Sequence, residues 1–511
     1  IGVCIGTSGP GVTNLVTPIA DAMMDSTPLL AICGQVSSAV LGKDAFQETD
    51  ITGITMPITK HNYLVKRAEE LPYVFKEAVH IATTGRTGPV LIDITKDAMQ
   101  KVIVPNWDVK LNLPGYKPNY HGNRKQIREA LRLLTGAKRP VIIAGNGVIM
   151  AGAIEELRTF AERLGVPVLT TLHGIGALPE SHPLNIGMPG MHGWVHGNKA
   201  IQECDVLFNI GGRFDDRVTG KASTFAPNAK VIHVDIDPSE IGKNVKVAVP
   251  IVGDARNVLK ALLEDMPSQA ELAELHGHAS DWMEHIRDVQ DKHQGKQQYI
   301  SRAHTENMAL PPHDVYAALN KTLGMNNNYI LVTDVGQHQM WAAQLIDNNA
   351  GSRTFLTSGG AATMGFGVPA ALGAAVACPD KTVWVVAGDG GFQMTNQEMA
   401  TIIQEGIKNV KVLIINNGYL GMVRQWQELF EGKRYSGTPL SGPDFVKLAD
   451  AYGWKGIRVE RSEDVQAAIN EAMATDGPVL IDFRVEREVN VFPMVPQNKS
   501  IGEMITTETD L

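Results

Sequence analysis

The chain has 511 residues, 44% of them hydrophobic, a formal charge of −9 and four cysteines. At about 100 to 200 residues per domain this is material for roughly three cores, and a mild acidic balance without a basic run gives no reason to expect a nucleic-acid partner. Cys4, Cys33, Cys204 and Cys378 lie far apart with no CxxC pair, against a zinc cage or a disulfide framework, and no apolar stretch approaches a membrane span, so no membrane partner is expected.

The sequence opens on "IGVCIGTSGPGVTN", an apolar strand running into a glycine turn. A parallel sheet seldom begins on a bare strand, so the start of the first domain is expected to lie upstream of Ile1. Residues 1–104 alternate short apolar runs ("PLLAICGQV", "GPVLIDI") with the helical "EELPYVFKEAVHIATTG", the pattern of a parallel α/β sheet. The proline- and asparagine-rich "VPNWDVKLNLPGYKPNYHGN" breaks it as a linker. A second α/β domain is expected over 120–265, from helix "RKQIREALRLLTGA" and strand "RPVIIAGNG" through "DVLFNIGGRFDDR" to "KVIHVDIDP". A polar helical linker over 266–309, a third α/β domain over 310–485 and a tail over 486–511 complete the expected fold, α/β with three doubly wound parallel-sheet domains.

In the third domain, "TVWVVAGDGGFQMTNQE" ends an apolar strand on Asp389, fenced by Gly388, Gly390 and Gly391, with a helix expected from Thr395 onward. Asp389 is either a turn residue capping that helix or an acid poised where anions and their counter-ions collect. The next strand, "VKVLIINNGYLGM", stops on Asn416 and Asn417. A right-handed βαβ crossover puts both strand ends on one edge, where open α/β sheets bind ligands. One carboxylate, one amide oxygen and a nearby carbonyl are hard donors, too few to cage a metal but suited to Mg²⁺ shared with a phosphate. In the second domain, Gly145-x-Gly147 after a strand is a weak dinucleotide signal, with Asp235 after "VIHVDID" in place for a ribose hydroxyl.

The GDG…NN spacing resembles the thiamin-diphosphate fingerprint. Six longer motifs, "TSGPGVTN", "DAFQETD", "GRTGPVLIDITKD", "GGRFDDRVTGK", "DVGQHQMWAAQ" and "NNGYLGMVRQWQ", make the chain similar along its length to the catalytic subunits of the acetolactate synthase family. The resemblance implies Mg²⁺ on Asp389, Asn417 and the Tyr419 carbonyl, and thiamin diphosphate (ThDP) against Val335, Gln337, His338, Gly388, Gly390, Gly391 and Gly421. It places Met364 between the cofactor rings with Met422 beside it; a core methionine is the plain alternative for Met364. The family's usual leucine-glycine is replaced here by Ala361 and Ala362. Its activating glutamate would precede Ile1, and Glu48 belongs to a different motif.

FAD without a redox role is implied for the middle domain, lined by Arg86, Gly145, Thr171, Leu172, His192, Gly211, Arg213, Asp215, Asp235, Asp254 and Gln339. The substrates implied are two 2-ketoacids: pyruvate is decarboxylated and condensed with a second pyruvate or 2-ketobutyrate. Arg217 would hold the second carboxylate, or else pair with Asp215 or Asp216; Trp426 would line the substrate channel, or else be a structural tryptophan. Phe46, Gln47 and Lys96 would reach the site from a second subunit, with Gln47 among the catalytic groups. A homodimer or homotetramer, a small regulatory subunit and a bacterial cytoplasmic location are implied. Glyoxylate carboligase, which resembles the same scaffold, and a catalytically silent homologue are the alternatives.

Overall fold

The computed structural model describes residues 1–293, 310–351 and 353–507. The rest of the expected linker (294–309) and of the tail (508–511) lies outside the described residues. The chain forms two compact units. One holds Ile1–Tyr120 with Ser358–Thr363, and the other His121–Thr357 with the chain from Met364 onward.

The first unit is a four-stranded parallel sheet of Gly2–Gly6 (β1), Leu29–Gln35 (β2), His61–Val65 (β3) and Val90–Thr95 (β4), ordered β1-β2-β4-β3. Strand β4, "VLIDIT", is buried along its whole length, as a central parallel strand covered on both faces must be. Ser358–Thr363 belongs by sequence to the expected third domain but packs here: Ser358 and Thr363 donate to Asp21, and the Gly359 and Gly360 N–H groups to Asp25.

The second unit carries two further parallel sheets. Pro140–Ala144 (β5), Val168–Thr170 (β6), Val206–Ile210 (β7), Lys230–Asp235 (β8) and Val249–Val252 (β9) run in the order β6-β5-β7-β8-β9. Side chains alternate across a strand, so Ile142 and Ala144 join one core, closed by helices Arg124–Thr135, Ile154–Leu164 and Ala255–Glu264. Val141 and Ile143 join the other, under Val195–Glu203 and the 20-residue helix Ala273–Lys292. That last helix falls in the expected linker. Its Trp282, Met283 and Ile286 are nevertheless core residues of the middle domain, and the Trp282 indole N–H donates to the Pro140 carbonyl at 3.2 Å.

Tyr329–Thr333 (β10), Phe355–Leu356 (β11), Thr382–Gly388 (β12), Val410–Asn416 (β13), Lys455–Val459 (β14) and Val479–Arg484 (β15) form the third sheet, ordered β11-β10-β12-β13-β15-β14. After β12 the helix begins earlier than expected: it spans Asp389–Thr395 with Gly388 as cap, and a second helix follows at Glu398–Gln404. A carboxylate in the first helical turn is favoured by the dipole and by the free N–H groups there, so Asp389 starts the helix that Thr395 closes. Phe392, fully buried and edge-to-face on Phe445 at 5.6 Å, anchors this helix; truncating such a ring to alanine costs about 3 to 5 kcal/mol. The expected tail is a buried strap: Val495 and Ile501 enter the middle-domain core, while Phe492, Met494 and Ile505 pack on Trp426 and Leu429.

Candidate functional site

The third sheet reverses its strand order between β10 and β12, the crevice where an open α/β sheet binds ligands. Three helices start on that edge, each directly or shortly after a strand: Gln337–Leu345, Asp389–Thr395 and Gly421–Phe430. Their first turns line one pocket, with Val335, Gln337, His338, Gly388, Asp389, Gly390, Gly391, Asn417, Tyr419 and Gly421 in its wall and Met364 and Met422 beside them. First-turn N–H groups have no intrahelical acceptor and carry the positive end of the helix dipole. Three such ends around one pocket form a cradle for a polyanion.

Asp389 and Asn417 meet in that cradle. The register pairs Gly388 with Ile415 across β12 and β13, and the Asn417 main-chain N–H donates toward the Asp389 carboxylate. Burial pushes the Asp389 carboxyl up to about 6, and its Oδ1 has no hydrogen-bond partner. A buried carboxylate oxygen left unpaired is costly, and a divalent cation is the natural group to satisfy it. The Asn417 amide is held at both ends, its Nδ2 donating to Gln337 Oε1 at 3.2 Å and its Oδ1 accepting the Tyr419 N–H at 3.1 Å. Neighbouring Asn416 alternates to the other side and donates to Asp482 at 2.8 Å, so of the two asparagines only the second faces the pocket. The donor set of carboxylate, amide and carbonyl fits Mg²⁺ shared with a phosphate; among the described residues there is no cluster of three His, Cys, Asp or Glu able to hold a metal without such help.

His338 is buried, its ring pressed against Gly336 and Gly388, and burial lowers its pKa to about 4. It is therefore neutral near pH 7, and its Nε2 has no partner. Gln337 begins the first of these helices. Its Nε2 donates to Gln425 Oε1 and to the Val489 carbonyl, both at 2.9 Å, so its amide is engaged within the protein, while its main-chain N–H, in the first helical turn, has no intrahelical acceptor.

Other contributors were not singled out from the sequence. Asp334, buried at the end of β10, accepts from the N–H groups of Val335, Gly365 and Gly367 at 2.8 to 3.1 Å and so fixes the loop that carries Met364. It ends a strand before a glycine turn as Asp389 does, which was the available signal. Leu420 and Trp341 also line the pocket.

The middle sheet gathers the expected flavin residues at its own C-terminal edge. Gly145 follows β5, Thr171 and Leu172 follow β6, Gly211 and Arg213 follow β7, Asp235 ends β8 and Asp254 follows β9. The main chain is in contact at the switch point, where the Gly147 N–H donates to the Gly211 carbonyl at 3.0 Å. Asp215 caps helix Asp216–Thr219, Asp254 caps Ala255–Glu264 and Asp235 accepts the Asp237 N–H at 2.8 Å. His192 is buried, with its pKa lowered by burial to about 4, and its carbonyl accepts from Gln344 at 2.9 Å. Gln339, on the same helix as Gln344, donates to Thr357 at 2.6 Å. Arg217 pairs with Asp216 at 3.5 Å, both largely exposed, and contacts the Met191 sulfur. Trp426 is half-buried, tilted on Phe430 with 5.0 Å between ring centroids.

In the first unit Phe46, Gln47 and Lys96 share the C-terminal edge of the sheet. Gln35 Nε2, at the end of β2, donates to the Thr49 carbonyl and to Asp93, tying the 44–50 loop beside the end of β4, where Lys96 begins a helix. Gln47 has a φ of 60° and Phe46 is 89% exposed. Arg86 precedes β4 and bonds Ser26 Oγ at 2.9 Å, which puts it at the opposite edge of this sheet.

Residues 1–54, 127–262 and 334–483 match, in order, the N-terminal TPP binding domain, the central domain and the C-terminal TPP binding domain of thiamine pyrophosphate enzymes. The chain is 51% identical to an acetolactate synthase of Mycobacterium bovis over 515 residues, covering 99% of this chain and 81% of that protein. It is 51% identical to the acetolactate synthase large subunit of Corynebacterium glutamicum, at 99% and 80% coverage, and 47% identical to a probable large subunit of Methanocaldococcus jannaschii, at 99% and 84%. With half of its residues shared along almost its whole length and all three domains matched in order, the chain belongs to the acetolactate synthase large-subunit family of ThDP-dependent enzymes.

Proposed function

We propose that the protein is an acetolactate synthase: it decarboxylates pyruvate and joins the resulting two-carbon unit to a second pyruvate or to 2-ketobutyrate. The products are 2-acetolactate and 2-aceto-2-hydroxybutyrate, precursors in valine, leucine and isoleucine biosynthesis. The observation that carries this reading is the 51% identity over 99% of the chain to a curated acetolactate synthase. When bound, thiamin diphosphate supplies the nucleophilic carbon that attacks the ketoacid.

The chain's own residues bind and orient. Asp389, Asn417 and the Tyr419 carbonyl hold Mg²⁺, a role supported by the unpartnered, buried Asp389 oxygen. The N–H groups at Gln337, His338, Gly390, Gly391 and Gly421 take the diphosphate, with Val335 and Gly388 shaping the turns. Met364 and Met422 form the apolar wall against the cofactor rings. Arg217 takes the second ketoacid's carboxylate and Trp426 the wall of the channel. Phe46, Gln47 and Lys96 act across a dimer, a role that fits the outward Phe46 ring. FAD lies along the middle sheet's C-terminal edge, with His192 and Gln339 contributing from outside that edge. Assembly as a homodimer or homotetramer, a separate small regulatory subunit and a cytoplasmic location complete the reading; among the described residues no helix is long and apolar enough to cross a membrane.

The test is product formation by protein expressed from its full natural coding sequence, supplied with ThDP, Mg²⁺ and FAD. Acetolactate from pyruvate is the expected outcome. Preferential turnover of glyoxylate would instead make it a glyoxylate carboligase, and tight cofactor binding without carboligation of either substrate would make it a silent homologue.

A further inference from the structure

We propose that Gln425 is a positioning residue for the cation site, and that the main chain of Val491 sets the orientation of the Asn417 amide through it. The inference rests on the reading of Asn417 as a cation ligand. Its starting point is a residue whose donor and acceptor cannot exchange places. The Val491 N–H donates to Gln425 Oε1 at 2.8 Å, and the Val491 carbonyl accepts from Gln425 Nε2 at 2.9 Å. Backbone polarity therefore fixes which way the Gln425 amide lies, a choice that an isolated amide leaves open.

Each later step follows from the one before. Gln425 Oε1 accepts from Gln337 Nε2 at 2.9 Å, and the Val489 carbonyl accepts from that same nitrogen at 2.9 Å, so two acceptors fix the Gln337 amide. Gln337 Oε1 must then face Asn417 and accept from its Nδ2, at 3.2 Å. The Asn417 amide is left with its oxygen turned away from Gln337, and the Tyr419 N–H meets that oxygen at 3.1 Å. All three amide side chains are buried: Gln425 at 0%, Gln337 at 3% and Asn417 at 7% exposure. Water therefore offers them little alternative to one another, and the network holds one arrangement. Arg424 grips the same strap beside Gln425, donating to Asn490 at 2.7 Å and to the Val489 carbonyl at 3.3 Å, so the strap is the fixed end of the relay.

The test is Mg²⁺ affinity of the protein at fixed ThDP, read by titration calorimetry, with thermal melting of the cation-free protein as a parallel readout. Gln425→Met keeps the side-chain volume and removes every polar contact; Gln425→Glu keeps the acceptor and loses the donor. Gln337→Met should weaken Mg²⁺ by about 10- to 100-fold, the usual cost of losing the partner of a metal ligand, Gln425→Met, one bond further out, by less, and Gln425→Glu by least. Adding Gln337→Met to Gln425→Met should weaken it no further than Gln337→Met alone. Asn490→Ala, which removes one of the bonds by which Arg424 anchors the strap, should lower the melting temperature and weaken Mg²⁺ by less than Gln425→Met does. Native cation affinity in either Gln425 variant that folds, or additive losses in the double variant, overturns the proposal. Asn417→Ala is the separate control: if it leaves Mg²⁺ affinity unchanged, it is the site assignment beneath the proposal that fails.

Discussion

The two switch points of the second unit share one topology and differ in how their polar groups are engaged. At the third sheet, Asp389 Oδ1 and His338 Nε2 are buried without partners, and three helix N-termini converge on them. At the middle sheet, Asp215, Asp235 and Asp254 each accept a main-chain N–H of their own turn, and the crossing is glycine against glycine. Order of strands and glycine at the strand end are thus common to both. The middle sheet buries unpartnered atoms as well, Asn209 Oδ1 and His233 Nδ1, but both belong to uncharged groups; what distinguishes the third-sheet site is that a carboxylate oxygen is among the groups left open.

The sharpest way to break this contrast is Asp389→Asn. Loss of the carboxylate should weaken Mg²⁺-dependent ThDP binding by more than about 100-fold, beyond the range of second-sphere changes, with activity falling in step. The same substitution should stabilise the cation-free protein. Burial raises the Asp389 carboxyl from 3.8 to about 6, so its contribution to stability is full below pH 4 and lost as pH rises through 6. At pH 7.5, without divalent cation, Asp389→Asn should gain up to about 3 kcal/mol at about 1.4 kcal/mol per unit, and near pH 4 nothing. Melting curves at the two pH values, with and without Mg²⁺ and ThDP, read both signs. A variant less stable than the native protein at pH 7.5 without cation would show that the open oxygen is not a stored cost.

Glycine substitutions sharpen the contrast at an intermediate scale. A Cβ on Gly145 would overlap the Gly211 carbonyl and stand 2.6 Å from the Gly212 Cα, main chain that cannot step aside. Gly145→Ala should therefore destabilise by about 1 to 3 kcal/mol, seen as a lower melting temperature together with less flavin absorbance in the purified protein. A Cβ on Gly421 meets side-chain ends instead, overlapping Gln337 Oε1 and standing 2.8 Å from Asn417 Nδ2. Those ends are held only by hydrogen bonds, so Gly421→Ala should push the Gln337–Asn417 pair out of its arrangement, costing less stability than Gly145→Ala and more cation affinity. Equal effects on both readouts would erase the distinction between the two crevices.

The strands and their order of occurrence were legible because parallel strands buried on both faces are continuous apolar runs, as in "VVA" before Asp389 and "VLII" before Asn416. The convergence of Asp389 and Asn417 followed from crossover handedness alone. Three things were not legible, each for a physical reason. The helix start at Asp389 hides because glycines on both sides give no propensity signal. The strap over Val489–Ile505 reads as a tail because it has neither helical nor strand period, its place being set by contacts with Trp426, Arg424 and Gln425 far away in sequence. Ser358–Thr363 is short and glycine-rich, and only the long-range bonds to Asp21 and Asp25 assign it to the first unit.

The smallest expected effect tests Arg217, the one cation of the middle domain assigned to substrate. Its partner Asp216 lies 3.5 Å away, and the two side chains are 59% and 76% exposed, so solvent screens most of their attraction. Asp216→Ala should change stability by less than about 0.5 kcal/mol, whereas Arg217→Ala should raise the KM for the second ketoacid if, as proposed, the guanidinium rather than the ion pair is what the carboxylate meets. If the pair were structural, the two substitutions would lower the melting temperature equally and leave KM alone. Separating the two outcomes decides whether the middle domain contributes a charge to the chemistry or only a scaffold beside it.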